Sequence, residues 1–224
     1  MRVENAALRA AAIPSSRDGA DSLGDLRFRA LLSDADWMAL PAAVRHRFSK
    51  RLTDGKTAIY VGEVLEAWMS WAGRLLAQGL RLIGGPLPTS RDTHTPCVVT
   101  VTEDCGSGGQ IWTRLYARRR GFPQVIHSSK RFSGPTGIEE HVGYGVGMTL
   151  TVAVEDRALV FRSGQYFLDL GRWRIVLPAW ATPGALTVKH IEDTGGRFVF
   201  SLEIVHRRLG LLIRQLAMFH EATP

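Results

Sequence analysis

Residues 138–154 alternate without interruption between large, mostly apolar side chains and small or polar ones. Successive side chains of a β-strand point to opposite faces, so a period of two over 17 residues predicts β-structure with one face buried. A single strand of this length would span roughly 55 Å, well beyond a usual strand. We therefore expect a sharp coil, a bulge or a break where Gly143, Gly145 and Gly147 follow one another.

β-structure is predicted for almost all of the second half of the chain. Turn-forming Gly, Pro, Asp and Ser residues separate the predicted strands, and links this short favour antiparallel neighbours because parallel pairs need longer crossovers. The last segment, residues 207–221, fits either a helix or a strand broken at Gly210. The predicted strands lie near residues 97–103, 111–118, 122–132, 138–155, 158–168, 172–177, 185–193 and 197–206.

The first third of the chain is predicted to be mainly helical. Pro41 is suited to open a helix because its φ angle is preset and its missing N–H costs nothing there. A strand at 57–65 precedes an amphipathic helix predicted over 68–84. We expect the apolar side of that helix to pack on the sheet, and a membrane surface is the alternative. The residues expected to pack on the sheet are Trp71, Leu75, Leu76 and Leu82.

Together these patterns predict an α+β fold. N-terminal helices would pack on a strongly curved antiparallel β-meander of about eight or nine strands, forming a closed or half-open barrel. The length of 224 residues suits one domain, which we place at residues 25–221. Residues 1–24 show no clean periodicity and are expected to form a flexible N-terminal tail.

Composition narrows the classes of partner. The net charge of +7 comes almost entirely from arginine in short, scattered clusters, and no nucleic-acid-binding motif accompanies them, so we do not expect nucleic-acid binding. We expect no transmembrane segment, since no apolar run is long enough. Two cysteines, Cys97 and Cys105, and the lack of a secretory signal suit a cytoplasmic protein. Neither a nucleotide motif nor metal-ligand spacing is present, so we expect no cofactor and no metal.

The strongest polar constellation comes from three predicted strands. Trp112 and Arg114 share one face of their strand, and Glu140 interrupts an otherwise apolar row that also contains Tyr144. A carboxylate on a buried face is costly unless it is paired, and Arg114 is the natural partner. His190 and Glu192 share a face of a later strand. The candidate ligand-binding residues are Trp112, Arg114, Glu140, Tyr144, His190 and Glu192.

Several short motifs in order resemble a known family. They are Leu40-Pro41 followed by Val44-Arg45, Gly62, Trp112-Thr113-Arg114, Glu140, Leu177-Pro178, Glu192 ahead of Gly195-Gly196, Phe198, Phe200, and Leu209-Gly210. Over roughly residues 28–221 the chain resembles the bacterial family catalogued as domain of unknown function 4166. Arg208 stands where members tend to have a proline. The resemblance implies a Rossmann-type dehydrogenase-like or epimerase-like enzyme as partner, because such domains are often fused to relatives.

Three functions remain open from these residues. The first is a non-enzymatic binder of a hydrophobic small molecule or lipid in a barrel cavity. The second is an enzyme, or an enzyme-accessory domain, that uses Glu140 and Glu192 with Arg114 for acid/base chemistry. The third is an interaction module with a filled core. A cavity lined by apolar residues and one carboxylate favours the first, whereas two convergent carboxylates favour the second.

Overall fold

A computed structural model describes residues 24–222. The tail expected over residues 1–24 therefore lies outside the described residues, except for Gly24. Eleven strands follow a short helical region, and their bounds are β1 (Ala58–Met69), β2 (Pro96–Asp104), β3 (Gly109–Tyr116), β4 (Gln124–Arg131), β5 (Glu139–Gly143), β6 (Val146–Glu155), β7 (Ala158–Leu170), β8 (Trp173–Val176), β9 (Ala185–Glu192), β10 (Arg197–His206) and β11 (Gly210–Glu221).

Ten of these strands close into an antiparallel barrel. Each strand from β1 to β7 pairs with the next, β7 pairs with β9, and β9, β10 and β11 lead back to β1. Strand β8 pairs only with the end of β7, at Phe167–Leu170. The expectation of helices on a curved antiparallel barrel is confirmed. The strand number exceeds the expected eight or nine because 138–155 forms two strands and the ambiguous last segment is strand β11.

The long alternating segment breaks at Gly143, Tyr144 and Gly145. All three have positive φ angles, of 120°, 50° and 78°, which turn β5 directly into β6. A side chain at Gly145 would place its Cβ 2.2 Å from the carbonyl oxygen of Asp169, so close packing also requires glycine there. The turn keeps the alternation in phase, since Glu140 pairs with Met148 across the hairpin.

Two short helices, α1 (Asp34–Ala39) and α2 (Ala42–Phe48), fill one end of the barrel. Pro41 immediately precedes α2, as the sequence predicts. The Phe48 ring reaches inside, with its centroid 6.4 Å from that of Trp112 and 5.9 Å from that of Phe161. We call this the plugged end; it also carries the start of β1 and the end of β11.

The helix expected over 68–84 is shorter, and its predicted packing is wrong for three of the four residues. Strand β1 continues to Met69, helix α3 spans Trp71–Gly79, and a 3-10 turn follows at Leu80–Ile83. The face that packs on the barrel centres on buried Gly73 and Ala77, and partly buried Ala72 and Leu76 belong to it.

The reason is the close approach between α3 and β11, because a Cβ at Gly73 would lie 2.2 Å from the carbonyl oxygen of Leu212. Only a small residue fits at that contact, and of the four large residues predicted to pack on the sheet only Leu76 packs against the core. Trp71, Leu75 and Leu82 are exposed, and Leu76 is half-buried. None of the helices among residues 24–222 is long and apolar enough to cross a membrane.

Candidate functional site

An apolar cavity occupies the barrel between the plug and the opposite end. The cavity volume is about 230 Å³, far more than one water molecule requires. Its base is formed by Phe48 and Trp112, and its far end by the segment after α3 and the connection between β8 and β9. The walls between them are largely apolar, and they include Val142, Met148, Phe161, Leu186, Phe200 and Ile204.

One polar cluster interrupts this apolar wall. Glu140 Oε1 lies 3.4 Å from an Arg114 Nη and 3.3 Å from Lys130 Nζ. Arg114 also donates a hydrogen bond of 3.0 Å to Ser128 Oγ. The Lys130 ammonium lies 5.0 Å from the centre of the Trp112 ring, within the range of a cation–π contact. The predicted pairing of Glu140 with Arg114 at the edge of an apolar pocket is confirmed, and Lys130 adds a second cation.

Burial and charge oppose each other in this cluster. Burial alone would raise the pKa of Glu140, but the charges of Lys130 and Arg114 outweigh it and lower that pKa to about 2. Burial lowers the pKa of Lys130, and the attraction of Glu140 only partly offsets this effect. The Glu140 carboxylate is therefore charged at neutral pH and is held between two cationic groups.

Comparison with known proteins supports one assignment. Residues 40–219, well over half of the chain, match the family described as a domain of unknown function, DUF4166. The chain belongs to this family. No curated protein matches the chain, and no solved structure does. The fold and cavity of this DUF4166 domain therefore have to be interpreted from its own residues.

Three of the six predicted site residues line the cavity of this DUF4166 domain: Trp112, Arg114 and Glu140. His190 lies beneath it, in a small space of about 20 Å³ that Trp112 shares. Burial, followed by the charge of Arg47, holds the pKa of His190 well below its usual value, so the imidazole is neutral. An Arg47 Nη lies 2.8 Å from His190 Nε2 and donates to it.

The structure does not bring Tyr144 and Glu192 to the cavity. Tyr144 projects from the β5–β6 turn with 77% of its surface exposed. Glu192 lies at the plugged end, where its carboxylate is 2.6 Å from an Arg47 Nη. Glu140 and Glu192 belong to separate ion pairs and do not converge on one ligand position.

Two residues of the polar cluster in this DUF4166 domain, Ser128 and Lys130, are not predicted from the sequence. Both belong to β4, which pairs with β3 and β5 and places Lys130 directly opposite Glu140. The signal was present in the alternation of β4, where Ile126, Ser128 and Lys130 share a face. Finding it required knowing that this face is the inner one.

Metal binding finds no support within residues 24–222. Nowhere in that range do three or more His, Cys, Asp or Glu side chains form a group that could hold a metal ion. The chemistry available inside the cavity is therefore that of its apolar wall and of the Glu140 cluster.

Proposed function

We propose that this domain binds a hydrophobic small molecule or lipid in the barrel cavity without transforming it. The observation that carries the proposal is a largely apolar cavity inside a closed barrel, interrupted by one buried polar cluster. Ligand sites commonly combine an apolar lining with a few polar groups that orient the ligand. Barrels of about this strand number can hold one small molecule.

The polar cluster also indicates the kind of ligand. Arg114 and Lys130 carry two positive charges against the single negative charge of Glu140. Excess positive charge in an apolar environment favours a ligand with an acidic or strongly accepting group at one end. Such a group would also oppose the effect of burial on Lys130 and raise its pKa. The preferred ligand is thus an amphipathic acid whose tail lies along the apolar wall.

The two alternatives have less support. An interaction module with a filled core does not account for the open space beside Glu140. Acid/base catalysis by Glu140 and Glu192 requires both carboxylates at one ligand, and Glu192 is paired with Arg47 at the plugged end. With a pKa lowered to about 2, Glu140 is also a weak base near neutral pH.

Titration of the protein with a fluorescent long-chain fatty acid tests the proposal. Val188→Trp fills the cavity from its wall, and Thr187→Trp places the same side chain at the next position of β9, outside the cavity lining. We expect Val188→Trp to weaken binding on the order of tenfold or more, and Thr187→Trp to leave it unchanged. Equal binding by both variants, with both folded, would contradict a ligand site in the cavity.

Competition between matched ligands tests the preference for an acid. A fatty acid should displace the fluorescent ligand more effectively than the alcohol of equal chain length, and Arg114→Met should reduce that difference. If the acid and the alcohol compete equally, the cavity binds apolar chains without recognising the acidic group.

A further inference from the structure

The antiparallel meander gathers five connections at the end of the barrel opposite the plug. Strands β1, β3, β5, β7 and β10 finish there, while β2, β4, β6, β9 and β11 begin there. The cavity reaches the same end, since Leu80, Ile83 and Pro183 line it. We call this the mouth end; its connections are residues 70–95, 117–123, 144–145, 171–184 and 207–209.

Exposed aromatic side chains are concentrated at the mouth end. Trp180 is 83% exposed beside the cavity-lining Ala181, and Leu82 is 85% exposed beside the cavity-lining Ile83. At the plugged end, the large apolar residues that are more than half exposed are Leu26 and Met38. Within residues 24–222, every exposed aromatic residue lies in a mouth-end connection or within two residues of a strand end there: Trp68, Trp71, Phe122, Tyr144, Trp173 and Trp180.

Charged residues are also distributed differently between the mouth end and the plugged end. The mouth-end connections contain ten arginines and one acidic residue, Asp92. Residues 24–57, which form the plug, carry seven Lys or Arg residues and four Asp residues. The arginines of the mouth end lie between the exposed aromatic residues along the chain, as in Arg172-Trp173 and Arg120-Gly121-Phe122.

We propose that the mouth end docks on an anionic lipid bilayer, so that the cavity opens toward the membrane. Trp and Tyr side chains favour the membrane–water interface, and exposed Leu side chains can enter the acyl boundary. Arginines close to the surface are attracted by anionic lipid headgroups. A second copy of the chain is disfavoured as occupant, because it would bring two arginine-rich surfaces together.

Docking would give the ligand a path that avoids water. The segment that follows α3 and the β8–β9 connection line the cavity with some side chains and expose neighbouring ones to the outside. An amphipathic acid could thus pass between the bilayer and the barrel, with its acidic group leading toward Arg114 and Lys130 and its tail extending toward the mouth end. This transfer rests on the proposed function, whereas docking itself requires no ligand in the cavity.

Flotation of the full chain with vesicles tests docking. We expect binding to vesicles that contain phosphatidylglycerol, weak binding to pure phosphatidylcholine, and a loss of binding as salt is raised. The double variant Trp71→Ser/Leu82→Ser should reduce the bound fraction on the order of tenfold. The matched double variant Leu26→Ser/Met38→Ser, at the plugged end, should bind like the unaltered protein.

A second pair of variants separates local charge from total charge. Arg120→Gln/Arg208→Gln removes two positive charges from the mouth end, and Arg51→Gln/Arg157→Gln removes two from the plugged end. The first pair should weaken binding to anionic vesicles severalfold more than the second. Equal effects, or no vesicle binding at low salt, would overturn the proposal and leave a protein partner as the occupant.

The cavity variant keeps the two proposals distinguishable. Val188→Trp should still float with anionic vesicles although its cavity is filled. If the unaltered protein floats with vesicles but binds no fatty acid, the cavity ligand alone is refuted. If it binds fatty acid but does not float, docking alone is refuted.

Discussion

Glu140→Gln removes the one carboxylate that separates Arg114 from Lys130 in the cavity wall. The substitution preserves shape but removes the negative charge that Arg114 and buried Lys130 share. In the folded protein the pKa of Glu140 falls from its ordinary 4.5 to about 2. Each unit of pKa difference corresponds to about 1.4 kcal/mol, so the charged carboxylate stabilises the fold by about 3 kcal/mol at pH 7.

The sign of the pH dependence follows from the lowered pKa. The contribution of Glu140 is fully present above the pKa of the unfolded state and is lost as the pH falls toward 2. Urea unfolding should therefore show Glu140→Gln to be less stable by about 3 kcal/mol at pH 7 and by roughly half as much at pH 3. In thermal unfolding at pH 7, the expected loss is about 6 to 12 °C.

Glu66→Gln serves as the control, because Glu66 pairs with Arg214 on the surface. It should change the free energy of unfolding by less than about 1 kcal/mol at either pH. A destabilisation by Glu140→Gln that is equally large at pH 7 and pH 3 would refute the electrostatic account. It would mean that the substitution acts through packing.

Two further substitutions or titrations test other parts of the structure. Gly145→Val should destabilise the fold by more than about 1 kcal/mol in urea unfolding, because its Cβ would lie 2.2 Å from the carbonyl oxygen of Asp169 and its φ is 78°. Gly171→Ala is the control, since Gly171 also has a positive φ but has open space around it, and it should destabilise less. Equal losses of stability would contradict the close contact at Gly145. The pKa of His190 is held well below its usual value, first by burial and then by Arg47, so the NMR signals of its ring should not titrate between about pH 6 and 8. The free energy of unfolding should fall below about pH 6.5, because His190 takes up a proton in the unfolded chain but not in the folded one. A titration midpoint near about 6.5 in the folded protein would show that the ring is not buried as described.

The inner face of the barrel could be predicted from alternation in single segments. Glu140 was identified because it interrupts an apolar row, and its partner Arg114 followed from the cost of burying a lone carboxylate. The tight turn at Tyr144 and Gly145 is harder to predict from the sequence, because the alternation continues in phase on both sides of it. A single bent strand and a hairpin with such a turn therefore show the same alternation of side chains in the sequence.

Lys130 and the packing of α3 could not be deduced from local pattern. Lys130 enters the cluster through the register between β4 and β5, which depends on contacts distant in the chain. In α3 the large apolar residues suggest the buried face, whereas the close approach to β11 admits only a residue as small as Gly73 at the contact. Steric fit between elements overrides hydrophobic patterning there.

Native mass spectrometry of the protein, purified from its own cells without detergent, tests the cavity ligand most directly. The account predicts a population carrying one additional amphipathic molecule, retained by Thr187→Trp and lost from Val188→Trp. Extraction of that molecule should yield a species with a hydrocarbon tail and an acidic group. An unliganded mass for the unaltered protein that stays unchanged after incubation with long-chain fatty acids would contradict the account.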